Sequence, residues 1–444
     1  MEQVPEKMTV AGLRQAYRTK TLTPRRVLDK VLSRARRYAA KHIFISAPEE
    51  AKLAAYLGRL EQMNFDSHPL WGIPFVVKDN IDVEGFTTTA ACPDYAYIPK
   101  QSAAVVQRLV NAGAVPVGKA NLDQFATGLV GTRSPYGAVH NAWRDELISG
   151  GSSSGSAVSA ALGICAFSLG TDTAGSGRVP AALNGLFGFK PSCGAWPIKG
   201  VVPACASIDC VTVFAHTMGD CLAVDDVARG CQANDPWSKD LPRKMAAAPQ
   251  TVYISDKPPV FFGPFAQEYE AAWKNALKMV SNAGFAVKKT AVSLYEEAAS
   301  ILYGGPWVAE RWADLGDFVG SHPGKVFPVT EKILRSGEKP TAASLFHAIH
   351  RLQEIKRSVQ ELLADAVLLM PTAGGTWTIR DVEADPVETN TQMGAFTNHC
   401  NLLDLCACSY PVAMAADNLP FGITAFALSG GEGLLSSFSE RLFS

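Results

Sequence analysis

The sequence predicts an α/β fold, a single large α/β/α domain with a central mixed, largely parallel sheet covered by helices. Residues 75–77 and 114–117 are candidate strands, and residues 105–112 between them have a helical pattern. Strands that alternate with helices are typical of parallel sheets. The 444-residue chain has no internal repeat and no linker-like run of Pro and Ser. One domain is therefore favoured over the three or so that length alone suggests.

The N-terminal part of the chain predicts helices. Thr23 and Pro24 form an N-cap followed by proline at the first helical position, a common way for a helix to begin. Apolar residues then recur at helical spacing, at Val27, Leu28, Val31 and Leu32. A helix is therefore expected to begin at Pro24.

The later part of the chain continues the alternation of helices and strands. Residues 157–169 form an apolar run between two polar clusters, which predicts a helix leading into a strand. Residues 264–365 are richer in Lys and Glu and predict helices, and residues 367–370 predict a buried strand. The α/β pattern therefore extends over most of the chain.

The charge balance argues against nucleic acid as a partner. The chain has 41 Lys and Arg residues against 42 Asp and Glu, a net charge of −1. It therefore has no long-range field that would attract phosphate backbones. Charged residues make up 19% of the chain, too few to suggest disorder or a coiled coil. A folded globular protein is expected.

The cysteines and the apolar segments predict a cytoplasmic protein. Residues 1–10 lack the apolar segment of a signal peptide. The uncharged stretch 147–171 is interrupted by glycines and serines, unlike a membrane span. Ten cysteines are scattered without a CxxC pair, and Cys406 and Cys408 lack the second pair of a zinc site. Reduced cysteines are expected, with no metal, no cofactor and no membrane contact.

Two short motifs match known patterns but depart from them where the chemistry needs a particular residue. Residues 113–119 match most of a phosphate-binding P-loop, yet Ala120 stands where Ser or Thr would hold magnesium. Pro116 also stiffens this segment and has no N–H to offer a phosphate. Residues 151–155 match the GxSxG nucleophile elbow in letters but lack the partners that it needs. We interpret the first segment as a strand and turn and the second as no elbow.

The most unusual composition lies in residues 149–178. This stretch has seven glycines and eight serines, yet it contains the apolar run 157–169, which a flexible linker would not have. Two serine-bearing loops brought together by a helix and a strand account for this pattern. Small residues let the backbone approach a ligand closely and leave N–H groups free to bind an anion.

Three segments resemble the amidase signature enzymes. They are GIPFVVKDNIDVEG (72–85), GGSSSGSAVSAALG (150–163) and GTDTAGSGRVPAA (170–182). The resemblance runs from about residue 10 to about residue 430. It implies a Ser-cisSer-Lys triad of Lys78, Ser152 and Ser176, with an oxyanion hole of backbone N–H groups from Thr173, Ala174, Gly175 and Ser176.

The implied triad makes chemical sense. A serine hydroxyl is a weak nucleophile and needs a base within hydrogen-bond reach. Lysine can serve only when neutral, so its pKa must fall through burial among few charges. The uncharged residues around Ser152 suit that requirement, and Lys78 follows a buried strand. We interpret Asp172 and Arg178, which flank Ser176, as a structural ion pair.

Three further segments resemble allophanate hydrolases, a subgroup of this family: residues 207–220, 302–312 and 371–405. This resemblance implies that Tyr303 and Arg311 hold the substrate and that Gly128 helps to line the pocket. Allophanate is a ureide ending in a carboxylate, and a guanidinium can give that carboxylate bidentate hydrogen bonds. Because the two side chains are eight residues apart, they could share one helix face.

The resemblance also implies a division of the chain. We expect an N-terminal helical region (1–64), a catalytic core (65–240), and a region of specificity helices and closing strands (241–444). The further C-terminal domain that many allophanate hydrolases carry is not expected here. A homodimer is expected from the family.

Other functions remain open from the sequence. The substrate could be another small amide, such as biuret or a simple carboxamide. The chain could also be a glutamine amidotransferase subunit, which would need partner chains. A nucleotide-binding module using residues 113–119 belongs to a different class and predicts affinity for ATP.

Overall fold

The computed structural model describes residues 3–444, and within them eleven strands form one sheet. Their order across the sheet is β1-β3-β2-β4-β6-β5-β10-β11-β9-β7-β8. The strands are β1 (Phe44–Ser46), β2 (Pro74–Lys78), β3 (Val115–Ala120), β4 (Phe167–Asp172), β5 (Phe187–Lys190), β6 (Cys210–Ala215), β7 (Thr251–Ser255), β8 (Ala286–Thr290), β9 (Ala366–Pro371), β10 (Leu405–Ala416) and β11 (Leu419–Leu428).

Fifteen α-helices in residues 3–444 cover this sheet. They are α1 (Val10–Arg18), α2 (Pro24–Arg37), α3 (Glu50–Glu61), α4 (Ala104–Asn111), α5 (Ser154–Ala161), α6 (Val179–Asn184), α7 (Met218–Ala228), α8 (Ala266–Asn282), α9 (Ser293–Tyr303), α10 (Val308–Ser321), α11 (Pro328–Ser336), α12 (Ala342–Leu362), α13 (Ile379–Ala384), α14 (Glu388–Met393) and α15 (Glu432–Leu442). The α/β class, the mixed sheet and its helical cover are therefore confirmed.

The direction of the strands varies across the sheet. Four neighbouring pairs are parallel, and they lie in two groups, β3-β2-β4 and β9-β7-β8. The other six pairs are antiparallel. The expectation of parallel pairing thus holds for the two groups and does not hold between them. Strands β10 and β11 explain part of this, since a tight turn at Asp417 and Asn418 joins them as a hairpin.

The predicted elements are found where the sequence patterns indicated. Helix α2 begins at Pro24, and the Thr23 side chain accepts a hydrogen bond from the Arg26 N–H. The two candidate strands are β2 and β3, and α4 lies between them in sequence. The apolar run 157–169 contains most of α5 and the start of β4. The region 264–365 holds α8 to α12 but also the short strand β8, which its Lys-rich sequence did not reveal.

The segment 113–119, which resembles a P-loop, has a structural role in the fold. Gly113 has a positive φ of +94° at the turn before β3, where a side chain would collide with the Trp71 backbone. Lys119 is fully buried in β3 and pairs with Asp79 at 3.2 Å. This segment is therefore the strand and turn that the sequence analysis preferred over a P-loop.

All ten cysteines in the described residues are free thiols, and only Cys231 is exposed. Their burial agrees with the expectation that they act as small apolar residues. No helix in residues 3–444 has the length and apolar character needed to span a bilayer.

The sheet brings two predicted site segments together. Strands β2 and β4 are parallel neighbours, with Val76 opposite Ser168, so their carboxyl ends lie at the same edge of the sheet. Lys78 is the last residue of β2, and Asp172 is the last residue of β4. The loop that follows β4, residues 173–178, therefore begins beside Lys78.

Candidate active site

Lys78 is at the centre of a buried polar cluster. Its side chain has no exposed surface, and its Nζ atom lies 2.7 Å from Ser152 Oγ and 2.7 Å from Thr171 Oγ1. Thr171 is part of β4, so the strand pairing that joins β2 to β4 also sets this contact. The structure therefore brings together two of the three predicted triad residues.

Burial favours the neutral amine of Lys78, the form that can accept a proton. It lowers the pKa of Lys78 to about 7, although the negative charges of Asp123, Asp209 and Asp172 act against this shift. The positive charge of Arg311 adds to the lowering. A large share of the Lys78 amines is thus neutral near pH 7 and able to accept a proton.

Ser152 is positioned by the glycine-rich turn before α5. The peptide bond between Gly151 and Ser152 is cis, and Ser152 is fully buried. The next residue, Ser153, anchors the turn to β4, because its Oγ donates to Thr171 O at 3.0 Å and accepts from Thr171 N at 3.2 Å. Ser153 is the central serine of the GxSxG match, and its hydroxyl serves this structural contact.

Ser176 lies in the loop 173–178, which the carboxylate of Asp172 holds in shape. That carboxylate accepts the N–H groups of Gly175 (2.9 Å) and Gly177 (3.0 Å). It also accepts two hydrogen bonds of 2.9 Å from the Arg178 guanidinium. Burial alone would raise the pKa of Asp172, but Arg178 holds it below its usual range. The predicted structural ion pair is confirmed, and it fixes the loop that carries Ser176.

The second support of this loop comes from residues 394–401, here called the supporting turn. Thr397 Oγ1 donates to Ala174 O at 2.7 Å, and Asn401 Nδ2 donates to Asp172 O at 2.7 Å. Gly175 packs so tightly here that a Cβ would lie 2.2 Å from Thr397 Oγ1, and its φ is +135°. Glycine is required at this position because both the space and the backbone angle exclude a side chain.

The predicted oxyanion donors differ in availability. The Gly175 N–H is engaged by Asp172, so it does not point freely at a substrate. Within residues 3–444 no protein acceptor takes the N–H groups of Thr173, Ala174 or Ser176. These three donors, on one buried loop, are able to stabilise a developing negative charge. Gly175 instead gives the loop its shape.

Tyr303 and Arg311 meet, but not in the way that their spacing suggested. Tyr303 ends α9 and Arg311 belongs to α10, so the expectation of a shared helix face is wrong. Arg311 donates from Nη2 to the Tyr303 hydroxyl at 3.3 Å, and its guanidinium carbon lies 5.4 Å from the Tyr303 ring centre. Its Nη1 donates to Thr127 Oγ1 at 2.8 Å.

Arg311 is a buried cation without a carboxylate partner. Its side chain is 1% exposed, and no Asp or Glu oxygen in the described part of the chain lies within ion-pair distance of it. A buried guanidinium normally has such a partner, since burying an unpaired charge is costly. The arrangement therefore suits an anionic group brought by a ligand.

Gly128 follows Thr127, the residue that holds Arg311. A Cβ at Gly128 would lie 2.6 Å from Asp123 Oδ2, so the chain needs glycine to pass this carboxylate. Asp123 in turn accepts the N–H groups of Val130 (3.2 Å), Gly131 (3.0 Å) and Arg133 (2.9 Å). Gly128 thus lets the loop pass close to Asp123, next to the residue that binds Arg311.

Asp209 is a further site residue that the sequence analysis did not single out. It accepts a hydrogen bond from the Thr173 hydroxyl and from the N–H groups of Ala204 (2.8 Å) and Cys205 (3.1 Å). Burial raises the pKa of Asp209 to about 6, with these hydrogen bonds opposing the shift. Asp209 therefore anchors Thr173, the first residue of the loop 173–178.

The sequence analysis also did not single out Thr171, Thr127 and Asp123, which contact predicted site residues. Thr171 lies inside the GTDTAGSGR segment, so its place in the motif was an available signal. Thr127 precedes the predicted pocket residue Gly128, but its contact with Arg311 joins segments that are distant in sequence. Asp123 makes its hydrogen bonds to the N–H groups of Val130, Gly131 and Arg133, and nothing in the sequence distinguished its carboxylate from others in loops.

The chain is similar to known amidases over nearly its whole length. Residues 26–435 match the Amidase family. A urea amidolyase from Saccharomyces cerevisiae is 42% identical over 396 residues, which is 86% of this chain and 21% of the yeast protein. A second urea amidolyase, from Lachancea kluyveri, is 40% identical over 90% of this chain and 22% of its own length. The chain thus spans about a fifth of the length of these relatives.

A solved structure shows the same fold. The allophanate hydrolase of Kluyveromyces lactis superposes with a TM-score of 0.92 at 37% identity, covering 98% of this chain and 72% of that one.

Proposed function

Because the chain belongs to the amidase signature family, we propose that it is a serine amidohydrolase. It cleaves the terminal amide of allophanate (urea-1-carboxylate) with water to give N-carboxycarbamate and ammonia. The observation that carries this choice of substrate is the buried Arg311, which has no carboxylate partner in the described residues. Similarity to the yeast urea amidolyase and the K. lactis allophanate hydrolase supports it.

The triad moves one proton in each half of the reaction. Neutral Lys78 takes the proton of Ser152, and Ser152 takes the proton of Ser176 as Ser176 Oγ attacks the amide carbon. The proton then returns to the leaving nitrogen, and ammonia departs from an acyl-enzyme. A water molecule then gives its proton to the triad by the same route and attacks the acyl carbon. The ester bond to Ser176 breaks, the proton passes back to Ser176 Oγ, and N-carboxycarbamate is released. The contact between Lys78 and Ser152 at 2.7 Å supports the first step.

The oxyanion of each tetrahedral intermediate is stabilised by the loop after β4. We propose the N–H groups of Thr173, Ala174 and Ser176 as its donors. A single donor of this kind is worth about 3–4 kcal/mol in well-studied enzymes. Their fixed loop supports this role, because donors that are already oriented need no reorganisation during the reaction.

The substrate carboxylate is held by Arg311. The Tyr303 hydroxyl and Thr127 orient the guanidinium, whose remaining N–H groups pair with the carboxylate. We propose that Gly128 lines the same pocket. We also propose a catalytic core in residues 65–240, to which Thr127 and Gly128 of the pocket belong, a region of specificity helices and closing strands in residues 241–444, which holds Tyr303 and Arg311, and an N-terminal helical region in residues 1–64.

We also propose a cellular location and an oligomeric state for the enzyme. Free thiols throughout the described residues support a cytoplasmic location, where disulfides are rare. A homodimer is proposed from the family resemblance alone, and sedimentation velocity on the purified chain tests it.

The substrate is tested by comparing rates on three amides. Initial rates of ammonia release are measured with allophanate, biuret and acetamide. Only allophanate carries the carboxylate that Arg311 binds, so its kcat/KM is expected to exceed that for acetamide by at least about 100-fold. Equal kcat/KM values would show that the pocket does not select a carboxylate, and glutaminase activity would favour an amidotransferase subunit.

Replacing Arg311 should weaken substrate binding more than it slows the chemistry. In Arg311→Ala the KM for allophanate is expected to rise about 10- to 100-fold, because a charge-assisted pair is lost. Steady-state kinetics of the purified variant measure the change.

The matched variant for this test is Arg311→Lys. It keeps the charge and loses the planar fork, so its KM should lie between those of the wild type and Arg311→Ala. An unchanged KM in Arg311→Ala would remove this residue from the pocket.

The pH dependence of kcat/KM should report the state of Lys78. Burial lowers the pKa of Lys78 to about 7, and only the neutral amine accepts a proton. Activity is therefore present above this pKa and should fall about tenfold per pH unit below it. Initial rates from about pH 5.5 to about pH 9 measure the profile.

A far-UV circular dichroism spectrum at each pH shows whether the chain stays folded. A flat rate profile across the pH range in which the chain is folded would contradict the assignment of Lys78 as the base.

A further inference from the structure

Glu310 precedes Arg311 on α10, and its carboxylate binds a different part of the catalytic core. Its Oε1 atom accepts the Ser207 N–H at 2.7 Å, and its Oε2 atom accepts the Ser207 hydroxyl at 2.6 Å. The Oε2 atom also accepts the indole N–H of Trp307 at 3.1 Å. Hydrogen bonds to a carboxylate are stronger than those between neutral groups. Glu310 therefore fixes the first turn of α10 to Ser207.

Glu310 and Arg311 together provide the polar links between helices α9 and α10 and the catalytic core. In the described part of the chain, hydrogen bonds join residues 293–321 to residues 65–240 at two positions. One position is Glu310 with Ser207, and the other is Arg311 with Thr127 at 2.8 Å. Apolar packing also holds the two helices, but it is less directional than a hydrogen bond. These two neighbouring residues therefore set the orientation of α10.

Ser207 belongs to a turn, residues 204–209, that also holds the first proposed oxyanion donor. Asp209 closes this turn by accepting two of its backbone N–H groups, at 2.8 and 3.1 Å. The same carboxylate accepts the hydroxyl of Thr173, whose N–H is a proposed oxyanion donor. The result is one series of linked residues: Arg311, Glu310, Ser207, Asp209 and Thr173.

The shape of allophanate makes the distance between the two ends of this series important. A single nitrogen atom joins the carboxylate carbon of allophanate to the carbonyl carbon of its terminal amide. The substrate therefore has no flexible linker that could absorb an error in the distance from Arg311 to the oxyanion donors. A displacement of about 1 Å in a positioning group can cost about 100-fold in rate. A residue that fixes this distance should therefore affect kcat.

We propose that Glu310 is a positioning residue for amide hydrolysis, because its bonds to Ser207 set the distance between Arg311 and the Thr173 N–H. This role rests on the proposed hydrolysis of allophanate and names the residue that aligns its two binding groups. Glu310 does not touch the substrate. It acts through Arg311 at one end of the substrate and through the turn 204–209 at the other.

Glu310→Ala tests this alignment through the kinetics of ammonia release. Arg311 is still present to bind the carboxylate, so the KM for allophanate should stay within about threefold of the wild type. The amide carbonyl is no longer aligned with the oxyanion donors, so kcat should fall at least about tenfold. This pattern is the reverse of that expected for Arg311→Ala, in which KM changes more than kcat. A kcat within about twofold of the wild type would overturn the proposal.

Glu310→Gln separates hydrogen bonding from charge. Glutamine can accept the Ser207 N–H with its carbonyl oxygen and donate to the Ser207 hydroxyl with its amide group. The kcat of this variant should therefore return to within about threefold of the wild type. Equal losses of kcat in the Gln and Ala variants would contradict positioning by hydrogen bonds.

Ser207→Ala tests the same link from the other side and replaces Glu310→Ala if that variant does not fold. It removes one of the two bonds to Glu310, so kcat should fall at least about threefold. In the double variant with Glu310→Ala, kcat should equal that of Glu310→Ala alone, because the two residues act through one contact. An unchanged kcat in Ser207→Ala, or multiplied losses in the double variant, would overturn the proposal.

Asp317 provides the matched control on the same helix. It is exposed, lies about two turns after Glu310, and its carboxylate makes no hydrogen bond or ion pair in residues 3–444. Asp317→Ala removes the same charge from α10 and should leave both kcat and KM unchanged. Equal losses of kcat in Asp317→Ala and Glu310→Ala would assign the effect to the charge of the helix and overturn the proposal.

Hydrogen–deuterium exchange tests the link without a substrate. Peptides that cover residues 204–209 should exchange faster in Glu310→Ala than in the wild type, because the Ser207 N–H loses its acceptor. Glu310→Gln should restore the slow exchange, and unchanged exchange in Glu310→Ala would overturn the proposal. A wild-type chain that releases no ammonia from allophanate would refute the proposed substrate, whereas the exchange result decides separately whether Glu310 holds this turn.

Discussion

Ser176→Ala is expected to lower kcat for ammonia release by at least about 10⁴-fold, because the attacking oxygen is removed. The oxyanion donors and the substrate pocket remain, so a small residual rate over the uncatalysed reaction should persist. The hydroxyl of Ser176 makes no hydrogen bond that supports the fold within the described residues. Thermal unfolding should therefore stay close to that of the wild type.

Ser153→Ala is the control for this loss. Ser153 is the central serine of the GxSxG match, and its hydroxyl binds the Thr171 backbone. Its removal should reduce stability by about 1–3 kcal/mol and leave kcat within about tenfold of the wild type. Single-turnover assays and thermal melts of both variants measure these effects. The reverse outcome, with Ser153→Ala inactive and Ser176→Ala active, would reassign the nucleophile to the elbow-like motif.

The positions of the proposed triad could be predicted because short contiguous motifs carry them. Each motif places its residue at the end of a buried strand or on the turn before a helix. The pairing of the strands then brings these segments close together. Lys78 ends β2, and the turn that carries Ser152 is tied to the neighbouring strand β4 through Ser153 and Thr171. The contact thus depends on one strand pair, which the alternation of strands and helices already suggests, and on the hydrogen bonds of Ser153 to Thr171, 18 residues later in the sequence.

The substrate pocket was harder to predict. Tyr303 and Arg311 were expected on one helix face, but Gly304, Gly305 and Pro306 separate them, and such residues commonly end a helix. The sequence thus contained the signal for the break, whereas the angle between α9 and α10 depends on packing. That angle brings Arg311 to Tyr303 and to Thr127.

The sequence also could not predict which backbone N–H groups of the proposed oxyanion hole are free. Four consecutive amides follow β4, and nothing in their residue types distinguishes them. The folded loop turns the Gly175 N–H toward Asp172, three residues earlier, because this carboxylate also binds Arg178. The Gly175 N–H therefore has a structural partner, and we propose the other three N–H groups, of Thr173, Ala174 and Ser176, as the donors to the substrate.

Lys78→Met is expected to abolish activity while preserving the fold. The variant removes the proposed base, so kcat should fall by at least about 10³-fold. Methionine has a similar length and no charge, and it replaces an amine whose pKa is lowered to about 7 by burial. The loss of stability should stay within about 1–2 kcal/mol, since two hydrogen bonds are lost and no opposite charge is left unpaired. Kinetics and chemical denaturation of the purified variant measure both quantities.

Lys119→Met is the contrasting variant, because Lys119 occupies the neighbouring strand and is buried to the same degree. Its Nζ atom lies 3.2 Å from Asp79 Oδ1, and both side chains are fully buried. Removing the lysine leaves a buried carboxylate without its counter-ion, so the free energy of unfolding should fall by about 3–5 kcal/mol. We therefore expect the two buried lysines on paired strands to have different roles, proton transfer for Lys78 and stability for Lys119. A large stability loss in Lys78→Met would show that Lys78 is charged and structural, which would contradict its role as the base.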